Sequence, residues 1–577
     1  MKLKITIALA AIAALTLIAL SQINKGAFAP AEDLPRGALI YVQINDLPAF
    51  VKLWNESKLK GKYMTSRNYS DFSDNHLGLK IFSRRDEFDA AAGFPIDLET
   101  VSQLADNRAA LAIYDIGKLE FVFAAPVSDE VFAATKFARN KDKFTEETLA
   151  DGTTIYRAPV EADRGRQPQE LIFTNAKGRF ILATSEKLLM QTLNNINGLK
   201  KKNRLIDEPD FKNLSEKIVA HTAVVWLDQT ALNDDYYFKH YWLMSDANEL
   251  KNIRAGIFDF EIGAKKLIET RRFLLNEKSS VAPVDKKRAG ALLALLPPDI
   301  PFYKLQKANP KTVSAAFEKT IYEPADDEVK SAARNDFSVA DGYTSGDYEY
   351  LGEQFDETID DVPEDENAEK TSSDFAPEKI FQAAQPQTVL TFAAARVLPA
   401  PQFVEFRRAA VFDFAAPSNF NRAAFESLIE KKFAARFLVA APNADLHWES
   451  KAENGWSRRE LKFPMLGLTA AYALRGDRLI LTDDADFLRE ILAPKAEENS
   501  FEISAPPFSQ LTVVNLEQRK TAFDDVFGRL ETNPNNDNFF TGSVSSLLDS
   551  ISEVKRIEIT ENFSPDGFEE ILTFVRR

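Results

Sequence analysis

Two stretches of this chain, residues 178–194 (GRFILATSEKLLMQTLN) and 476–492 (GDRLILTDDADFLREIL), repeat one plan, and that repetition constrains the fold more than any other feature. Each reads as a turn, a strand and a helix. In the first, Phe180, Ile181, Leu182 and Ala183 form an apolar run, Thr184 and Ser185 can cap, and Leu188, Leu189 and Leu193 share one helical face. In the second, Leu479, Ile480 and Leu481 precede Thr482 and Asp483, and Phe487, Leu488 and Ile491 follow. A hydroxyl or carboxylate placed after a strand accepts the orphan N–H groups of the next helix, which sharpens the switch from one to the other.

The likeness extends in both directions. Leu34, Pro35 and Tyr41 fall on Leu296, Pro297 and Tyr303 at an offset of 303 − 41 = 262. Gly178 meets Gly476 at 476 − 178 = 298, which also sets Leu182 on Ile480 and Thr184 on Thr482. The difference, 298 − 262 = 36, calls for extra residues in the second copy, and an acidic, turn-rich stretch at residues 323–379 supplies them. VVWLDQ (224–229, ending in Gln229) matches VVNLEQ (513–518, ending in Gln518), and residues 253–275 match 554–575. The expected plan is therefore an N-terminal segment (1–30), a first repeat (31–277), a linker (278–288) and a second repeat (289–577).

Residues 1–20 carry Lys2 and Lys4 and then an apolar run from Ile5, which marks an export signal or membrane anchor. The run is shorter than the ~20 residues of a comfortable span. Cleavage after Ser21 would use Ala19 and Ser21 as small residues, whereas cleavage after Ala29 would set Pro30 beside the scissile bond. Signal and anchor both stay open, and either places the body in an extracytoplasmic space, the periplasm, with the cytoplasmic membrane as a partner if the segment is uncleaved.

Within the first repeat, Ile40, Val42 and Ile44 alternate with Leu39, Tyr41 and Gln43, a strand pattern, and Leu47, Phe50, Val51 and Trp54 have helical spacing. Residues 108–114 and 119–124 are rich in apolar and aromatic residues and are joined by DIGK, a hairpin signal. A helix is expected over 130–139, and strands near 153–157 and 171–174. Hairpins interspersed with helices point to an α+β fold, two tandem copies of a mostly antiparallel sheet with packed helices, preceded by an N-terminal apolar helix. The acidic insert, with DETIDDVPEDENAE at 356–369, has too few aliphatic residues to offset chain entropy and is expected to be disordered.

Function is far less legible. The net charge of 71 − 87 = −16 lacks the broad basic footprint of a nucleic-acid binder. With no cysteine, disulfides, thiolate nucleophiles and zinc–thiolate sites are excluded. His76, His221, His240 and His447 share no metal-ligand spacing, and nucleophile elbows, phosphate loops and dinucleotide fingerprints do not occur. No catalytic, cofactor-binding or metal-binding residue is assigned, and no cofactor is expected; Asp483 and Asp484 read as helix caps. The one local oddity is YYFKHYW: Tyr236, Tyr237, His240, Tyr241 and Trp242 form a bulky aromatic group suited to packing, or to a ligand lip or membrane-interface contact.

The opening LPRGALIYVQINDLPAFVKLW (34–54), behind an apolar N-terminal segment, with GRFILATSEKLLMQTL further on, resembles a family of bacterial exported or membrane-anchored proteins classed as a domain of unknown function. The resemblance implies an extracytoplasmic bacterial setting and carries over no active-site residue. The sequence thus favours a non-enzymatic binding or scaffold protein of the envelope, with an unidentified protein or hydrophobic ligand as partner. An enzyme with a dispersed site and a lipid or hydrophobic-ligand carrier are the alternatives.

Deleting most of residues 326–374 should leave the fold intact, since loop length changes closure free energy by only about 1 kcal/mol. Thermal unfolding checks this: a midpoint lowered by tens of degrees would make the insert structural.

Overall fold

In the computed structural model the described residues are 29–161, 169–199, 203–239, 248–263, 265–278, 281–298, 300–321, 377–397, 404–437, 447–463, 468–493, 507–517 and 551–577. The N-terminal segment (1–28) and all but the end of the acidic insert (322–376) lie outside them. Among the described residues, no helix is long and apolar enough to cross a membrane.

Among the described residues twenty strands are interspersed with helices, an α+β fold. They are β1 (Ile40–Ile44), β2 (Ala109–Asp115), β3 (Glu120–Pro126), β4 (Thr145–Thr148), β5 (Thr154–Val160), β6 (Gln169–Ala176), β7 (Arg179–Ala183), β8 (Ala223–Leu227), β9 (Ile253–Ile262) and β10 (Lys266–Leu275). Then come β11 (Phe302–Lys307), β12 (Pro386–Val397), β13 (Val404–Phe414), β14 (Trp448–Glu453), β15 (Trp456–Phe463), β16 (Leu468–Arg475), β17 (Arg478–Thr482), β18 (Gln510–Asn515), β19 (Val554–Ser564) and β20 (Gly567–Arg576).

The described residues divide into two compact units, one within 29–283 and 508–577, the other within 284–397 and 404–507. In the first the strands run β4-β5-β6-β7-β3-β2-β1-β8-β9-β10-β20-β19-β18, each neighbour antiparallel. In the second they run β14-β15-β16-β17-β13-β12-β11, again antiparallel.

The first unit buries both faces of its sheet. Ile181 and Ala183 of β7 join Ile172, Val122 and Trp226 under the helix Glu186–Ile196, through Leu188, Leu189 and Leu193. Phe180 and Leu182 join Phe123, Phe173 and Phe137 under Leu47–Glu56 and His76–Ala92, through Phe50, Val51, Phe88 and Ala92. In the second unit Leu479 and Leu481 pack with Phe412 of β13 and with Phe317, Phe381, Phe425 and Leu428 from helices Pro310–Ile321, Pro377–Gln382 and Arg422–Phe437.

Several expectations shift at their edges. The helix expected over 130–139 breaks into Asp129–Ala134 and Lys136–Arg139, because the Thr135 hydroxyl accepts the Ala138 N–H at 3.2 Å and starts a second helix. The stretch read as linker to residue 288 ends at Asp285, which caps the helix Lys286–Leu293 through the Arg288 N–H at 2.8 Å. Residues 377–379, read as the end of the disordered insert, open the helix Pro377–Gln382, whose Ile380 and Phe381 enter the core.

The glycine-on-glycine match slips by one. β7 starts at Arg179 and β17 at Arg478, so the strands correspond at 478 − 179 = 299, not 298. In each hairpin two residues make the turn. Lys177 and Gly178 have φ of 51° and 70°, whereas in the other hairpin the glycine comes first, with Gly476 at 58°. Left-handed backbone is cheap only for glycine, but a two-residue turn can place it at either position. Leu182 and Leu481 each stand fourth in a five-residue strand, and Thr184 and Asp483 each follow directly on its end. Both leucines are buried, at 3% and 0% exposure, so Leu182→Ala and Leu481→Ala should each destabilise by about 2–5 kcal/mol in denaturant titrations.

Candidate functional site

The aromatic run begins where β8 ends. Asp228 caps the helix Gln229–Asp234 through the Ala231 N–H at 2.9 Å, and Asp235 accepts the Phe238 N–H at 2.8 Å, which turns the chain again. That second turn holds Tyr236 and Tyr237 at the surface, 60% and 36% exposed, with their rings edge-on at 5.5 Å. His240, Tyr241 and Trp242 lie outside the described residues.

Two residues that sequence reasoning did not connect to this run meet Tyr237. The Lys80 ammonium stands 3.8 Å from the centroid of its ring, a cation–π contact. The ring also comes so close to Gly117, in the β2–β3 turn, that a Cβ there would lie within 2.1 Å of it. Gly117 belongs to the DIGK turn, closed by the Lys118 N–H donating to Asp115 at 2.8 Å. Its glycine was the one local signal available; Lys80 had none.

The polar groups organise into structural networks. On one face of β1 the Tyr41 hydroxyl donates to Gln43 Oε1 (2.6 Å), Gln43 Nε2 donates to Asn45 Oδ1 (2.7 Å), and Asn45 Nδ2 donates to the Ala220 carbonyl (2.7 Å) and to that of His221. Burial pushes the Tyr41 hydroxyl far above its ordinary range, so it stays protonated as a donor. Ala220 sits at φ 61°, a strained position for alanine that Asn45 helps to hold.

Beside it, the His221 backbone N–H donates to Asp259 Oδ1 at 2.8 Å and its Nδ1 lies 2.8 Å from Oδ2, while Nε2 is 4.0 Å from Glu261. An aspartate orients an imidazole here. What stands beyond the ring is a carboxylate, and the pair ties the entry of β8 to β9. His447 is exposed, the His76 side chain is not described, and among the described residues no group of three or more carboxylates and histidines is placed to hold a metal.

Asp484 is a helix cap, accepting from the N–H groups of Asp486 (2.7 Å) and Phe487 (2.9 Å). Asp483 instead accepts the Arg408 N–H of β13 at 2.8 Å. In the other hairpin Thr184 does the same for Phe121 of β3 at 2.9 Å. On the helix Arg422–Phe437, Glu426 takes both nitrogens of Arg459 at 2.9 Å, Arg422 at 3.2 Å and the Tyr472 hydroxyl. Burial opposes ionisation of Glu426, but these donors outweigh it and hold the carboxyl below its usual range. A shallow, polar groove of about 450 Å³ lies at β5 and β6, with Tyr156, Thr154 and Asn175 in its wall.

No family model matches the chain, and no curated protein does. Among solved structures it shows some likeness to three crystal forms of the Treponema protein TP0453. Form I is 12% identical with a TM-score of 0.25, covering 43% of this chain and 80% of that one. Form IV gives 11%, 0.25, 43% and 83%, and form III gives 11%, 0.23, 43% and 81%. A likeness of that degree carries no argument about fold or role.

Burial pushes the Asp483 carboxyl up to about 7, against an ordinary 3.8. Between those values the folded state alone holds the proton, so stability falls as pH rises through this window and the loss is complete above about 7. Asp483→Asn keeps an acceptor for Arg408 without ionising. Its unfolding free energy should fall less than that of the unsubstituted protein between about pH 5 and about pH 8, by about 1–3 kcal/mol in parallel denaturant titrations.

Proposed function

We propose that this chain is an extracytoplasmic protein of a bacterial envelope, of the exported or membrane-anchored kind its opening resembles, and that it works by binding or scaffolding rather than catalysis. One observation carries the reading. Large apolar and aromatic side chains reach the surface, Leu79 (57% exposed), Tyr236 (60%) and Tyr237 (36%), while the reactive types His221, Asp483, Asp484 and Glu426 spend their polar atoms holding strands and helices together. Surfaces of that kind suit a partner or an interface more than a transition state. The N-terminal lysines and apolar run give the route out of the cytoplasm, with the membrane as partner where the segment is retained.

We infer further that the chain is built from tandem copies, residues 31–277 and 289–577. The identical pairing order, β4-β5-β6-β7-β3-β2-β1 against β14-β15-β16-β17-β13-β12-β11, supports this. So does the reciprocal contact that closes each central hairpin: Thr184 with Phe121, and Asp483 with Arg408. The hairpins β9–β10 and β19–β20 likewise correspond at one offset, 567 − 266 = 301.

A reporter fused after Arg577 should be active only in an extracytoplasmic setting, and native mass spectrometry of the full chain drawn from its envelope should show a bound protein or lipid. Reporter activity confined to the cytoplasm would refute the localisation, and turnover of a co-purified small molecule would favour an enzyme.

A further inference from the structure

The short helices Lys58–Met64 and Arg67–Asp74 contain no buried residue. Helices of seven and eight residues are marginal alone, so these are held by their ends: Ser57 caps the first through the Lys60 N–H (3.0 Å), Ser66 the second through Tyr69 (3.2 Å). Tyr63 of the first packs on Tyr69 of the second at 5.5 Å, and Phe72 of the second on Phe82 of the next helix, His76–Ala92, at 6.4 Å. The following helix, His76–Ala92, roots this arm in the core through Phe88 and Ala92 but leaves Leu79 and Ile81 57% and 36% exposed near its start. Met64, at the tip of the first helix, is 40% exposed. Lys80 joins the arm to Tyr237, so the aromatic pair Tyr236 and Tyr237 lies beside it.

Charge separates this arm from the rest of the molecule. Residues 58–82 hold five lysines and arginines against two acidic residues, 5 − 2 = +3, in a chain whose net charge is −16. Exposed apolar side chains set among lysines match a lipid interface, where ammonium groups reach phosphate headgroups while methionine, leucine and tyrosine enter the acyl boundary. We propose that the arm formed by residues 58–82, with Tyr236 and Tyr237 at its side, docks on an anionic lipid surface. This goes beyond the reading above, because it concerns a face of the folded body and not the N-terminal segment.

The chain has no cysteine, so Met64→Cys gives a unique site for a polarity-sensitive fluorophore on the full-length protein. At low salt its emission should move to the blue and brighten several-fold with vesicles of equal parts phosphatidylglycerol and phosphatidylcholine, and stay unchanged with phosphatidylcholine alone. High salt should reverse the shift, and Lys58→Glu with Lys60→Glu should weaken binding about tenfold or more. Flotation by the N-terminal segment would occur on both kinds of vesicle and is thereby distinguished from docking of the arm. The salt reversal is read on the Met64→Cys protein carrying both native lysines, so it holds even if the charge-reversed variant fails to fold. No shift with anionic vesicles, an equal shift with neutral ones, or persistence at high salt overturns the proposal. A shift that grows with protein concentration without lipid also overturns it, assigning the face to a second copy.

Discussion

The constraint on which the rest of the structure depends is the burial of the central strands on both faces. Phe180, Ile181 and Ala183 are 0% exposed and Leu182 only 3%, and Leu479, Ile480, Leu481 and Thr482 are all 0% exposed. A strand with no wet side must be covered by helices above and below, and its backbone groups must be taken up by neighbouring strands. For β7 those neighbours are β3 and β6, and for β17 they are β13 and β16. The helix that directly follows each strand, Glu186–Ile196 or Ala485–Leu492, supplies cover from nearby sequence. The opposite face requires helices from far along the chain.

Burying so much sheet leaves polar groups at the strand ends that must be satisfied, and most of the reactive residue types are spent there. Thr184 and Asp483 close the ends of β3 and β13, and Asn45 and Asp259 fasten the entry to β8. On β10, Arg271 and Glu269 form a buried bidentate pair at 2.6 and 3.0 Å, with Glu570 of β20 at 3.5 Å from Arg271. Burial pushes the Glu269 carboxyl up in spite of its partner. Such a pair adds little net stability, because desolvation offsets attraction, yet breaking it leaves a lone buried charge. Its effect is on register: Arg271 sits opposite Glu570 and Arg272 opposite Glu569, so a one-residue slip would separate both pairs.

Against this interior the arm of residues 58–82 is the exception. It puts helices where they bury nothing and keeps positive charge in an acidic protein. A fold optimised only for stability has no use for such an element, since exposed apolar helices add to aggregation risk.

The sequence by itself determined the local pieces. The strand-to-helix switches at residues 183–186 and 482–485, the DIGK hairpin and the helix after Asp46 follow from apolar period, caps and turn residues, interactions that reach only a few positions along the chain. Even there it misplaced Gly178 against Gly476, because a two-residue turn accepts glycine at either position, and it joined two helices across Thr135, whose hydroxyl could serve either state. Tertiary structure alone decided which strands became neighbours, that β20 pairs with β10, that Tyr237 rests on Gly117 beneath Lys80, and that His221 answers to Asp259. Those contacts join residues far apart in the chain, and no local pattern encodes them, because their free energy appears only when both partners are already held by the packed sheet.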